Sequence, residues 1–243
     1  MKEKIDGVEE VSEEKVEKKR EVTIPGEIIV SGRDYLPGDG TRREEDDIVA
    51  SRYGLVDISG RLVKIIPLSG IYMPRAGNVV IGRVSDVTFN GWIMEVNAPY
   101  QSFLPVSEYP RFIKGDLTEF YDIGDMIACK VNSVKRKGID LTLKGQGLGK
   151  LEGGIIIFIN SNKVPRVIGR EGSMIRLIKQ ETGCEIVVGQ NGIIWIQGNS
   201  VEDELKAKNA IMFVVSKSFV DGLTEKVEDW FKKNGKKTRE EEK

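Results

Sequence analysis

The segment Val167-Ile168-Gly169-Arg170-Glu171-Gly172-Ser173-Met174-Ile175 carries the most specific chemistry in the chain. Its G-x-x-G core lies between an apolar run and an amphipathic one. Glycines there let a backbone approach a nucleic-acid strand with no Cβ in the way, and the helix that follows points N–H groups at phosphates. Arg170 offers a charge to phosphate, with Lys163, Arg166, Arg176 and Lys179 nearby in sequence. Ile168 and Ile175 flank the loop as anchors for two helices in one core. The spacing alone is weak. A second match, Gly189-Gln190-Asn191-Gly192, is better explained as a hairpin turn around Asn191-Gly192.

A second constellation lies upstream. Phe89, Trp92, Tyr100 and Phe103 are candidates for stacking bases, with Arg83, Arg111, Lys114, Lys135, Arg136 and Lys137 as the charges that would track a phosphate backbone. Each aromatic reads equally well as ordinary core packing. Lys135-Arg136-Lys137 precedes Gly138 at an expected hairpin tip and is either a phosphate contact or a solvated turn.

Other chemistry is missing from the sequence. Histidine is absent, which removes the commonest general base, most zinc sites and every imidazole-dependent triad. No nucleotide-binding P-loop, G-x-S-x-G elbow or dense Asp/Glu cluster with magnesium-site character is present. Cys129 and Cys184 stand far apart, match no metal-ligand spacing and are expected to be reduced. The reading is a binder with no catalytic residues, metal or cofactor. The net charge of −1 does not argue against nucleic acid, since an acidic arm can cancel a basic face. No apolar run approaches the roughly 20 residues that span a bilayer, and the N-terminus mixes charges, so a cytoplasmic protein without membrane contact is expected.

The elements that must position these residues follow from pattern. Residues 1–21 are too charged to bury a core and are expected to form a disordered or frayed-helical arm. From 22 to 75, the runs VTIPGEIIV, DIVASRYGLVDIS and RLVKIIPL give a small β-domain. From 76 to 145, NVVIGRVSDVTF, GWIMEVN, SFLPV, DMIACKVNSV and GIDLTLK give strands at the short spacing of a small closed barrel of the OB type. A glycine-rich linker covers 146–153. Residues 154–222 change to mixed α and β in the order β-α-α-β-β-α. There Ser173 is expected to cap a helix that Gly183 terminates, and VEDELKAKNAIMFVVSKSFVDGL is read as one long helix. Residues 223–243 are the helical end and a charged tail, solvated from Lys232 on. The fold class is multidomain, mainly β with an α+β unit at the C-terminal end.

The loop at 167–175 with its flanking elements resembles a type I KH domain over roughly residues 152–220. That family implies a groove beside Gly169 and Gly172 that clamps about four single-stranded nucleotides. Glu171 departs from the basic or neutral residues usual there, and a carboxylate beside phosphates weakens binding. The barrel resembles an S1 RNA-binding domain, on Gly82-Arg83-Val84, Asn90-Gly91-Trp92-Ile93 and Ile123-Gly124-Asp125. The usual pair of surface aromatics in its second strand is not kept, since Asn90 and Ile93 take those positions.

The order of units, with Pro25-Gly26-Glu27, Gly38-Asp39-Gly40-Thr41 and the run Tyr72 to Val84, is similar to the S1- and KH-containing RNA-binding cap subunit of the archaeal exosome, the Rrp4 family. Asn78 stands where aspartate is commoner. The resemblance implies three cap subunits on a hexameric RNase PH-like ring, contacted mainly by the N-terminal β-domain. Single-stranded RNA, A-rich at its 3′ end, would thread past the S1 domains to phosphorolytic sites in the ring. The alternatives are a transcription or translation factor built from the same modules, and a nuclease whose carboxylates escape recognition.

Overall fold

Short β-branched runs broken by glycine give the N-terminal unit many short strands. The computed structural model describes residues 21–109, 116–136, 138–218 and 222–241, and the chain divides into two compact units, the first ending at Leu68. The first contains β1 (Val22–Thr23), β2 (Ile28–Ser31), β3 (Leu36–Pro37), β4 (Thr41–Glu44), β5 (Asp47–Ala50), β6 (Gly54–Ser59) and β7 (Leu62–Pro67). They form two sheets, ordered β1-β6-β7-β3 and β2-β5-β4. Ile48, Val49, Ala50, Val63 and Ile65 are buried. The run Asp47–Ser59 forms two strands, breaking after Ala50, where the chain leaves one sheet for the other. Gly54 sits at the re-entry, and a Cβ there would lie 2.3 Å from the Ile66 carbonyl oxygen.

The second unit begins at Ser69, so residues 69–75 belong with the barrel rather than with the N-terminal β-domain to which sequence assigned them. Tyr72 lies in the barrel core and donates its hydroxyl to Asn78 Oδ1 at 2.8 Å. The five strands expected for the barrel form as β8 (Val79–Thr88), β9 (Gly91–Glu95), β10 (Ser102–Pro105), β11 (Met126–Lys135) and β12 (Gly138–Thr142). They pair in the order β12-β10-β9-β8-β11, and β11 returns to β12, which closes the barrel. β10 and β12 run parallel and the other pairs antiparallel. β13 (Gly149–Leu151) continues the sheet along β11 and leads out of the barrel.

The C-terminal half contains β14 (Ile155–Phe158), α1 (Val164–Ile168), α2 (Ser173–Thr182), β15 (Glu185–Val188), β16 (Ile193–Gln197), α3 (Val201–Ser216) and α4 (Leu223–Glu241). The sheet order β14-β16-β15, antiparallel throughout, is backed by α1, α2 and α3. Three details differ from expectation. The helix read over 201–223 is shorter, α3 ending at Ser216, and a separate helix, α4, starts at Leu223. The stretch read as a solvated tail is helical backbone as far as Glu241, in keeping with its Lys, Glu and Arg content. Ser173 is the first residue of α2 rather than its cap; Gly172 holds the cap position and no side chain caps it. Gly183 does end α2, at φ 67°, with its N–H on the Lys179 carbonyl.

Barrel and sheet share a third small core. Along β16, Ile194 and Ile196 point under the helices, while Ile193 and Trp195 pack against Ile81 and Ala128 of the barrel. The turn Gly189–Gly192 enters the barrel wall. Asn191, fully buried, donates Nδ2 to the carbonyls of Ile81 (2.7 Å) and Val96 (2.9 Å), and the Gln190 N–H reaches the Val79 carbonyl. Cys129 and Cys184 are both buried and unpaired, Cys129 with its thiol pushed up to about 12 by burial.

Candidate nucleic-acid interface

The β8–β9 hairpin tip lifts Phe89 clear of the barrel, where it is 96% exposed. Below it, register places Phe103 of β10 opposite Ile93 of β9 and beside Asp140 of β12. Phe89, Asn90, Ile93, Phe103, Lys135 and Asp140 line a cleft of about 390 Å³. Its apolar floor and raised aromatic suit stacking of flat bases, and a lysine stands at its edge. Lys135 forms an ion pair with Asp140, which also accepts from Ser133 Oγ at 2.7 Å. The Lys135 ammonium, then the Ser133 hydroxyl, hold the Asp140 carboxyl below its ordinary value. Lys135 keeps a largely exposed side chain, and Arg136 stands exposed beside it at the β11–β12 tip.

Trp92 is not part of this surface. It is fully buried in the barrel core and its indole N–H donates to the Tyr121 carbonyl at 2.9 Å. β9 alternates, so Trp92 and Met94 point inward and Ile93 outward. Tyr100 is half-buried against the core and lines a neighbouring groove. Arg83 is exposed on β8 and paired with Glu95 at 2.9 Å. Arg111, Lys114 and Lys137 lie outside the described residues.

The G-x-x-G loop is formed between α1 and α2. Gly169 has φ 75° and ψ 175°, a region closed to side chains, and a Cβ there would lie 2.7 Å from the Met174 nitrogen. Glu171 takes a left-handed conformation at φ 52°. Arg176 reaches back along α2 and donates to the carbonyls of Glu171 (2.8 Å) and Gly172 (3.4 Å). It therefore shapes the loop in addition to adding charge. Val167, not Ile168, is the fully buried anchor; Ile168 is half-buried and outside the core cluster, while Ile175 packs against it. Lys163 donates Nζ to the Val215 carbonyl at the end of α3. Arg166, Gly169 and Arg170 line a cleft of about 530 Å³ whose other wall is Gly222–Glu225 at the start of α4. Sequence gave no hint of that wall.

Comparison with known proteins matches the KH half and the N-terminal unit. A KH domain model matches residues 154–213, and a model described as the exosome complex exonuclease RRP4 N-terminal region matches residues 22–59. The exosome complex component Rrp4 of Methanothermus fervidus is 43% identical over 88% of this chain and 96% of its own length. Those of Pyrococcus abyssi and Picrophilus torridus are 41% and 40% identical, over 86% and 88% of this chain and 81% and 93% of their own. A crystal structure put forward as an exosome complex RNA-binding protein superposes with a TM-score of 0.62 at 32% identity, over 69% of this chain and 98% of that one. With such identity along nearly its whole described length, the chain belongs to the Rrp4 family of exosome complex components.

Proposed function

We propose that this chain is a non-catalytic RNA-binding cap subunit of an exosome. Three copies would sit on a hexameric RNase PH-like ring through the N-terminal β-unit. Each would hold single-stranded RNA on the barrel cleft and the KH loop and feed 3′ ends to the ring for 3′-to-5′ degradation, in the cytoplasm. The observation that carries the reading is the cleft of Phe89, Ile93 and Phe103, with Lys135 among its lining residues and Arg136 exposed next to it in sequence. It offers sequence-tolerant stacking and weak electrostatic tracking, which suit a recruiter of many RNAs. Exposed Val22, Ile24, Ile28 and Leu36 on the N-terminal unit support its role as the ring-facing module. Among the described residues no helix is long and apolar enough to cross a membrane. The absence of histidine supports the non-catalytic part, and the naming of relatives as RNA-binding or exosome components supports the RNA-binding part.

The test incubates the purified chain with labelled poly(A) RNA, with and without an RNase PH-like ring and phosphate. Faster loss of RNA only when ring and chain are combined is the expected result. Degradation by the chain alone overturns the non-catalytic reading. RNA binding with no effect on the ring moves a transcription or translation factor to first place.

A further inference from the structure

We propose that the groove between the barrel and the KH sheet is a second base-stacking site for the same RNA strand, with Phe158 as its platform. The proposal rests on the reading of the barrel cleft as an RNA site and extends it to residues outside that cleft. Phe158 ends β14, opposite Ile193. Side chains alternate along a strand, so Phe158 shares its face with Ile156, which packs in the shared core against the barrel. The barrel covers that face up to Ile193 and no further, and Phe158 is left 68% exposed. An isolated exposed apolar side chain is ordinary. This one, however, opens onto a groove of about 710 Å³ that it lines together with Tyr100, Ile93 and Arg83.

Three observations favour RNA as the occupant. The groove and the barrel cleft have Ile93 and Gln101 in common as lining residues, so the two adjoin across these side chains and a strand leaving Phe103 would cross them to reach Phe158. Arg83 is the one cation lining the groove among the described residues, and it is paired with Glu95. The groove thus offers aromatic faces and the amides of Asn97 and Gln101 rather than surplus charge, a chemistry for bases more than for phosphates or an acidic surface. Finally, Asn191 ties the KH turn to the carbonyls of both β8 and Val96, just ahead of the groove residue Asn97. Phe158 is therefore held at a fixed place relative to the barrel cleft, so stacking there needs no domain rearrangement.

The experiment titrates the full chain with labelled oligoadenylates from about 4 to about 16 nucleotides, the span that barrels of this type occupy. Phe158→Ala is expected to match the parent on the shortest oligomers and to lose on the order of 5- to 100-fold in affinity on the longer ones, the size of one lost base stack. Phe158→Trp should restore the affinity, and its added exposed indole should be quenched by RNA. Phe89→Ala serves as the reference for the barrel cleft. If Phe89→Ala weakens binding at every length and Phe158→Ala at none, the groove proposal fails and the cleft reading survives; if neither matters, both fail. Unchanged RNA affinity in Phe158→Ala with impaired assembly on the ring assigns the groove to a protein partner and also overturns the proposal.

Discussion

Asn191 bonds to Ile81 as an adjacent strand would: Nδ2 donates to the Ile81 carbonyl at 2.7 Å and Oδ1 accepts its N–H at 3.3 Å, across 110 residues of chain. A third bond, to the Val96 carbonyl, completes the use of a fully buried amide. One side chain thus does for the barrel and the KH sheet what a ladder does between strands. Asn191→Ala leaves these buried backbone groups unpaired at about 1–3 kcal/mol each. Urea unfolding of the variant should show a clear drop in midpoint. Asn191→Asp should be no better, since a carboxylate cannot donate to the two carbonyls. A midpoint unchanged in both would show that the apolar contacts of Ile193 and Trp195 suffice.

The residues around Asn191 show what sequence can and cannot disclose. Asn191-Gly192 was legible as a turn, and the turn is there, with Gly192 at φ 86°. What it inserts into was not legible, although β16 carried a sign of it. Ile-Ile-Trp-Ile has no alternation of polar and apolar residues, so both of its faces must be covered, and the helices can cover only one. The barrel strands were legible because apolar runs and glycine turns recur at close spacing. The phase of Trp92 was not, because an aromatic in a barrel strand has the same local pattern whether it faces in or out. The end of α3 was legible but overrun in the reading: Ser218 and Gly222 are poor helix formers, and α3 stops at Ser216 before them.

Phe89 offers the cleanest separation of binding from folding. At 96% exposure it contributes almost nothing to the core, so Phe89→Ala should leave stability within about 0.5 kcal/mol of the parent. If a base stacks on it, the same change should cost about 1–3 kcal/mol in affinity for single-stranded RNA. Fluorescence anisotropy with a labelled oligomer, paired with a thermal melt, reads both. An unaltered affinity would place the RNA elsewhere than the barrel cleft.

The two glycines of the KH loop are not equivalent. A side chain at Gly169 would collide with the Met174 backbone in a conformation open only to glycine, so Gly169→Asp should destabilise the fold, by about 1–3 kcal/mol for the backbone strain alone. Gly172 has φ 77° and ψ 16°, which aspartate tolerates, and its nearest neighbour would be Ile175 Cγ2 at 3.9 Å. Gly172→Asp is therefore the informative variant. It should melt near the parent and, if the loop holds phosphate, bind RNA more weakly, with the difference fading as salt rises. Equal affinity at low salt would make the KH unit a scaffold for the barrel.

Asp140 faces the barrel cleft while paired with Lys135, and this sets opposite consequences for stability and binding. Its carboxyl is held below the ordinary value, so the pairing stabilises the fold above about pH 4 and is lost as pH falls through the lowered value. Replacing Lys135 by alanine should flatten that acid-side loss, which urea midpoints between pH 3 and 6 would show. For RNA the sign reverses. The carboxylate occupies the ammonium that a phosphate would use and repels the phosphate itself. Asp140→Asn should therefore tighten RNA binding several-fold at neutral pH and steepen its salt dependence, because Lys135 is freed to displace a counterion. Weaker binding by Asp140→Asn would mean that Asp140 holds Lys135 in its working position, and the pair would then act as one positioned contact.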